Sequence, residues 1–325
     1  MVKTVYVGGG TPSTLSIADI DLLLKTVHAY ATDAEEITFE VNPHPDDLPK
    51  IPALLQNRVS RLSVGVQTLN DEELGIVGRL HTAEDARKFL AACRDVGCGN
   101  LSIDLIHGLP QQTIKSFEAT LRETIEFGPE HLSLYGLTVE SDSRLGRLPQ
   151  RQVRGLRLPD SDRQAEMYDL ARELLKNAGY LQYEISNFAK PGFACRHNIA
   201  YWSGGEYIGF GPGATSYVDG ARYRRISNVD AYLSAQRDGK NTTEFLESLS
   251  SRRAAAEALI CGLRLAEGIS RRSIETRFGV RLTDLCGEAL DRFEKAGLLE
   301  VNDDVIRLTD RAYFVSNAIF RDIVQ

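Results

Sequence analysis

Five short runs of β-forming residues recur along the first part of the chain, at Thr4–Val7, Glu36–Val41, Arg61–Val66, Asn100–Ile106 and His131–Leu137. Runs of this length, rich in Val, Ile, Leu and Phe and bounded by turn residues, predict strands. Between them the apolar period changes from two to about 3.6. In Ile17–Ala31 the residues Ile17, Ile20, Leu24 and Val27 fall on one helical face, with Ser16 as N-cap and Asp19 in the first turn. Thr82 and Asp85 open a second helix, Ala83–Val96, which Gly97 stops. A third, Thr113–Phe127, ends at Gly128-Pro129. Alternating strands and helices predict βαβ units and a parallel sheet with right-handed crossovers.

After Leu137 the pattern changes. Glu140–Pro159 is polar and arginine-rich and reads as a long loop; Asp160–Ala178 reads as a helix closed by Gly179. Two polar-aromatic segments follow, Tyr183–Ala189 and Cys195–Trp202, and then the glycine-rich Gly204–Gly213. Glycine alternating with aromatics suits a loop lying over a flat ligand, or an Ω-loop packed on the domain. From about Ser248, helices are expected at Arg252–Leu265, Ser270–Phe278 and Leu282–Ala296. A hairpin (Leu298–Val301 with Val305–Leu308) and a final helix, Asp310–Val324, complete the chain. Three helices and a two-stranded wing make a winged-helix pattern. Its third helix carries Asp284, Glu288, Asp291 and Glu294 against Arg292 and Lys295. A DNA-recognition helix is basic, so the expected role is structural or lid-like, and no nucleic-acid partner is expected.

Composition narrows the class. The 325 residues are 42% hydrophobic and 26% charged, with a net charge of −7, as in an ordinary globular protein large enough for two domains. No apolar run approaches the roughly 20 residues of a membrane span, and no charged-then-apolar leader opens the chain, so a cytoplasmic protein is expected. The five cysteines, Cys93, Cys98, Cys195, Cys261 and Cys286, show no Cys-x-x-Cys spacing and read as reduced, buried hydrophobes.

The candidate chemistry collects at strand ends. Gly8-Gly9-Gly10-Thr11-Pro12 follows the first strand, Glu40 and Asn42 end the second, Gln67 ends the third, and Asp104 lies in the fourth, ahead of Gly108-Leu109-Pro110. Singly, each reads equally as a turn residue or a strand-end cap. In series they mark the ligand edge of an α/β barrel or open sheet. The glycine loop is neither a Walker A motif nor a Gly-x-Gly-x-x-Gly fingerprint.

Four ordered motifs, Val-Tyr-Val-Gly-Gly-Gly-Thr-Pro, Phe-Glu-Val-Asn-Pro, Ser-Val-Gly-Val-Gln-Thr-Leu-Asn (with Arg79 twelve residues after Gln67) and Ile-Asp-Leu-Ile-His-Gly-Leu-Pro, give the chain a family likeness. It resembles the radical S-adenosylmethionine proteins of the coproporphyrinogen III dehydrogenase group over essentially its whole length. The resemblance implies an α/β fold: a partial (β/α)6 TIM-like barrel, its first strand absent, with a C-terminal winged-helix-like domain. The implied boundaries are 1–245 for the barrel, including a heme-associated extension over about 140–245, and 246–325 for the second domain. It further implies that Gly8, Gly9, Gly10 and Thr11 support the methionine end of S-adenosylmethionine, with Glu40, Gln67, Arg79 and Asp104 around the remainder. Carboxylates suit that cofactor's ammonium and sulfonium, while Arg79 and main-chain N–H groups suit its carboxylate.

Within the group, Tyr183–Ala189 and the His-Asn-x-x-Tyr-Trp run His197–Trp202 resemble the heme-chaperone branch. The resemblance implies heme as ligand, with His197, Asn198, Tyr201 and Trp202 around it and His197 as candidate axial ligand; Cys195 is the rival. Neutral imidazole is a common ligand to heme iron, and Tyr201 and Trp202 supply flat apolar area. Heme-acceptor proteins, among them membrane respiratory enzymes, are the implied partners, and a homodimer is left open. The alternatives are oxygen-independent oxidation of coproporphyrinogen III and, less favoured, a winged-helix DNA binder. Complete family members hold a 4Fe-4S cluster on Cys-x-x-x-Cys-x-x-Cys. That motif is absent from this sequence, so the chain is expected to start beyond it and not to perform radical catalysis itself.

Overall fold

The five apolar runs form strands β1 (Thr4–Val7), β2 (Glu36–Val41), β3 (Arg61–Gln67), β4 (Leu101–His107) and β5 (His131–Gly136). They pair in sequence order and in parallel in the computed structural model, which describes residues 2–139, 146–147 and 156–324. Most of the expected loop Glu140–Pro159 lies outside the described residues. Helices form where they were expected, at α1 (Ile17–Tyr30), α4 (Ala83–Asp95), α5 (Ile114–Phe127) and α6 (Ser161–Asn177), and two short ones that were not expected, α2 (Ile51–Gln56) and α3 (Asp71–Val77), join them. Their starts obey local chemistry. Ser16 Oγ accepts the Asp19 N–H, Thr82 and Asp85 form a reciprocal capping box, and Asp160 accepts from the Arg163 N–H.

Two more strands, β6 (Leu181–Glu184) and β7 (Asn187–Ala189), complete a curled seven-stranded half-barrel sheet in the order β1-β2-β3-β4-β5-β7-β6. This corrects the expectation of a wholly parallel sheet. Only Ile185-Ser186 separates β6 from β7, a connection too short for a crossover, so the pair is an antiparallel hairpin and β7 runs antiparallel to β5.

The two faces of this sheet differ. Ile37, Phe39, Leu62, Val64, Leu101, Ile103 and Leu132 are almost fully buried, and alternate along the strands with Glu36, Thr38, Glu40, Arg61, Ser63, Ser102, Asp104 and His131. Ile20, Leu24, Phe89 and Phe117 of the helices are likewise almost fully buried, each such side chain contributing about 2 kcal/mol on burial. The polar set shares the other face.

The chain divides into two compact units, Met1–His197 and Asn198–Gln325. Helix α7 (Arg196–Trp202) carries the division. The second unit opens with an antiparallel meander of β8 (Thr215–Val218), β9 (Ala221–Arg225) and β10 (Thr243–Ser248), with α8 (Val229–Arg237) inserted before the last strand. Helices α9 (Ser251–Leu263), α10 (Arg271–Phe278) and α11 (Leu282–Lys295) follow. The expected hairpin of β12 (Leu299–Val301) and β13 (Val305–Leu308) forms, and β11 (Ile269–Ser270), which was not expected, pairs with β13 to make a three-stranded sheet. The final helix, α12, covers Ser316–Val324; the six residues before it, expected to be helical, are turns. The Ala312 N–H donates to the Thr309 carbonyl at 2.9 Å and the Val315 N–H to the Ala312 carbonyl at 3.1 Å, tight i→i−3 turn bonds in place of α-helical ones. Among the described residues no helix is long and apolar enough to cross a membrane.

Candidate functional site

Strand ends of the first unit enclose a cavity of about 260 Å³, lined by Gly10, Thr11, Pro12, Glu40, Val41, Asn42, Ser63, Gly65, Gln67, Arg79, Asp104 and Tyr135. This is near the lower end of small-molecule sites, roughly 300–1,000 Å³. Six residues chosen from the sequence, Gly10, Thr11, Glu40, Gln67, Arg79 and Asp104, are therefore brought together. Gly8 and Gly9 stand behind them against Glu40.

Glu40 is held from β1. It accepts the Tyr6 hydroxyl at 2.8 Å and, more loosely, the Gly9 N–H at 3.3 Å. A Cβ on Gly8 would lie 2.7–2.8 Å from the Glu40 carboxylate, so only glycine admits that approach. Gly65 does the same for Gln67, whose Nε2 lies 2.8 Å from where a Cβ would stand. Gln67 itself has φ +68°, an unusual backbone for a side-chain-bearing residue and typical of a strained site. Asp104 accepts from Ser63 Oγ at 3.1 Å and from Ser102 Oγ at 3.4 Å. Burial pushes both the Glu40 and Asp104 carboxyls upward, and for Asp104 hydrogen bonds from the serines and the Arg61 charge pull back. Arg79 reaches Asn42 Oδ1 at 3.5 Å. Two carboxyl groups, one guanidinium and glycine main chain around one cavity suit a zwitterion that also carries a second cation.

Beneath the cavity lies a layer missing from the sequence reading. Arg61 is 2% exposed. Its Nη2 donates to His131 Nδ1 at 3.2 Å, while Nε and Nη1 have no hydrogen-bond partner among the described residues. A guanidinium can only donate. His131 Nδ1 is therefore the acceptor, and its Nε2–H donates to Tyr183 Oη at 2.9 Å. Ser102 Oγ also meets Nδ1 at 2.9 Å. The signal for this layer was the period-two alternation of Arg61-Leu62-Ser63-Val64 and Leu101-Ser102-Ile103-Asp104. A parallel strand covered by apolar groups on both faces reads as continuous hydrophobics.

The buried histidines set an acid limit for this unit. Burial alone holds His107 down at about 4, and burial with Arg61 holds His131 well below its usual value. The unfolded chain binds these protons first. Stability is thus complete above about pH 6.5 and is lost as pH falls towards 4, by about 3 kcal/mol for His107 alone. Glu40 and Asp104 shift in the opposite sense, so the comparison that isolates the effect is with His107→Gln. Denaturant unfolding should show the wild type losing more stability than the variant between pH 6.5 and 4; parallel curves would refute it.

The second set of sequence candidates centres on α7. Glu36, 5% exposed, accepts the Arg196 N–H at 3.0 Å, the His197 N–H at 3.1 Å and the Cys195 thiol at 3.4 Å. His197 Nδ1 lies 2.9 Å from Thr4 Oγ1, and its ring lies 5.2 Å from that of Tyr6. Burial lowers the His197 pKa, favouring the neutral ring. In the second unit Asn198 is half-buried. Tyr201 stacks on Tyr207 at 4.2 Å, and the Arg264 guanidinium covers the Trp202 ring at 4.3 Å. The glycine-rich segment presents Phe210 and Ile208, 85% and 58% exposed.

The cysteines do not fit an iron–sulfur cluster. Cys93, Cys98 and Cys195 are buried and Cys261 and Cys286 lie in the other unit. Burial pushes the Cys93 thiol up to about 12 and the Cys286 thiol to about 11, far from the thiolate state that binds iron. Among the described residues no group of three His, Cys, Asp or Glu could hold a metal ion.

Comparison with known proteins agrees with this geometry. Residues 1–124 match the radical SAM superfamily and residues 249–315 the HemN C-terminal domain. The fold is that of coproporphyrinogen III oxidase (HemN) from Escherichia coli, with a TM-score of 0.84 at 24% identity, covering all of this chain and 78% of that one. The class is thus a radical SAM half-barrel joined to a HemN-type C-terminal domain. The heme chaperone HemW of Lactococcus lactis is 36% identical over 98% of this chain and 84% of its own length. That of Escherichia coli is 37% identical over 79% and 70%. The chain belongs to the HemW family.

Proposed function

We propose that this protein is a cytoplasmic heme chaperone that binds heme and passes it to acceptor proteins, with His197 as axial ligand. The observation that carries the reading is the family match over 98% of the chain. The His-Asn-x-x-Tyr-Trp run supports it, with a neutral imidazole held from two sides at its start. Nitrogen ligation by such a ring would tie the iron to the protein, while Asn198, Tyr201 and Trp202 are the candidates for contact with the macrocycle. Cavity residues Glu40, Gln67, Arg79 and Asp104, with the Gly8–Thr11 loop, are proposed to bind S-adenosylmethionine. The ammonium would face the carboxylates, and the carboxylate Arg79 and the loop. With no cluster ligands among these cysteines, no radical step is assigned to these residues; their work is binding and handover.

The test is heme titration followed by transfer to a heme-free cytochrome. A Soret shift at one heme per chain, and a transfer rate that rises with acceptor concentration, are expected for direct handover. A rate independent of acceptor would mean release into water and would sink the chaperone reading.

A further inference from the structure

We propose that Asn42 is the positioning residue for the carboxylate end of S-adenosylmethionine: its amide oxygen aims the Arg79 guanidinium and its amide nitrogen turns the Thr11 hydroxyl, so that two donors converge on one anion. The inference rests on the S-adenosylmethionine reading of the cavity and adds a residue to which that reading gives no role.

Asn42 directly follows β2 and lines the cavity together with Thr11 and Arg79. Its side chain meets both of them. Arg79 Nη1 lies 3.5 Å from Oδ1, and Nδ2 lies 3.5 Å from Thr11 Oγ1. The partners fix which way the amide points. A guanidinium can only donate, so the amide atom facing Arg79 is the oxygen. The nitrogen then faces Thr11 and donates to it. Thr11 Oγ1 is thereby the acceptor, and its own proton is turned away from Asn42. Both bonds are at the long end of the range; they steer the two groups and leave them able to turn to a ligand.

The amide is itself held. Its main-chain N–H donates to the buried Ser13 Oγ at 3.4 Å, and Ser13 donates to the Asp47 carboxylate at 2.6 Å. Lys50 donates to the same carboxylate at 2.7 Å and to the Ser13 carbonyl. This sheltered ion pair ties the turn after the glycine loop to the end of β2. Thr11 is fixed from the same turn, its carbonyl accepting the Thr14 N–H at 2.9 Å and the Thr14 hydroxyl at 2.8 Å. Across the cavity a Cβ on Gly65 would stand 3.3 Å from Asn42 Oδ1, so glycine there gives the amide its room.

A neutral amide suits this place. It orients Arg79 without neutralising it, so the positive charge is kept for a carboxylate. An aspartate here would pair with Arg79 and set a negative charge where the ligand's own belongs. Burial, offset in part by the Asp104 charge, works against the Arg79 cation, and an anion in the cavity relieves that cost.

The test is isothermal titration of S-adenosylmethionine beside decarboxylated S-adenosylmethionine, which lacks only that carboxylate. The wild type should prefer the full cofactor. Asn42→Ala should lower affinity for the full cofactor about tenfold and leave that for the decarboxylated one within about twofold. Asn42→Asp should lower the first further and raise the second, because an added carboxylate attracts a ligand whose charges are all positive. Opposite signs in one variant cannot come from a general loss of fold. Equal losses for both ligands in Asn42→Ala, or an Asn42→Asp protein that binds the full cofactor as wild type does, overturn the proposal alone. A wild type that binds neither ligand overturns the cofactor reading, and the proposal falls with it, so the two failures are distinguishable.

Discussion

Gly8→Ala should lower affinity for S-adenosylmethionine ten- to a hundredfold and cost about 1–3 kcal/mol of stability through the displaced Tyr6–Glu40 bond. The new methyl would stand 2.7–2.8 Å from the Glu40 carboxylate. That group cannot swing aside without losing the Tyr6 hydroxyl at 2.8 Å and the Gly9 N–H at 3.3 Å. One hydrogen bond to a charged group is worth about 1.5–3 kcal/mol, which converts to that loss of affinity. The residue is exposed, so no core packing is disturbed. Isothermal titration with the cofactor, beside thermal unfolding, separates the effects. Equal affinity for mutant and wild type would mean that the ligand does not use Glu40. Neighbouring Gly10, with nothing within 4 Å of its would-be Cβ, should accept alanine better.

His197→Ala should weaken heme binding by more than the ten- to hundredfold usual for loss of a residue that only supports a ligand, because it removes the proposed axial ligand itself. The fold should survive. The ring is only half-buried, and the main-chain bonds to Glu36 do not need the side chain. The Soret band should move towards that of heme free in detergent. Cys195→Ser is the control: its thiol is occupied by Glu36, and the spectrum should not change. If Cys195→Ser rather than His197→Ala abolished the band, the axial ligand would be the thiol.

How far the site could be read beforehand depended on distance along the chain. The Gly8–Thr11 loop, Glu40, Gln67 and Asp104 each sit at a strand end, and parallel strands joined by right-handed crossovers deliver those ends to one edge. Chain order alone therefore implied their meeting, and a 260 Å³ cavity contains six of the eight candidates. Arg79 was reachable only through family likeness, since nothing local aims a residue just after a short helix into a cavity. Arg61 and His131 were missed because each opens a run that looks like an ordinary strand, and Tyr183 because it was read only as part of the Tyr183–Ala189 motif; their meaning comes from pairing across β3, β4, β5 and the β6–β7 hairpin.

Local chemistry written in the sequence determined the first five strands, the C-terminal hairpin, the helix caps and the glycine stops, because each depends on residues within a few positions of one another. Tertiary structure alone decided the antiparallel return of β6 and β7, the polar layer under the cavity and the clamp of Thr4 and Glu36 on His197. Those contacts join residues as far apart as Thr4 and His197, 193 positions along the chain. No periodicity encodes such a distance. It is closed only when burying the apolar face of the sheet brings β1 and β2 against the start of α7.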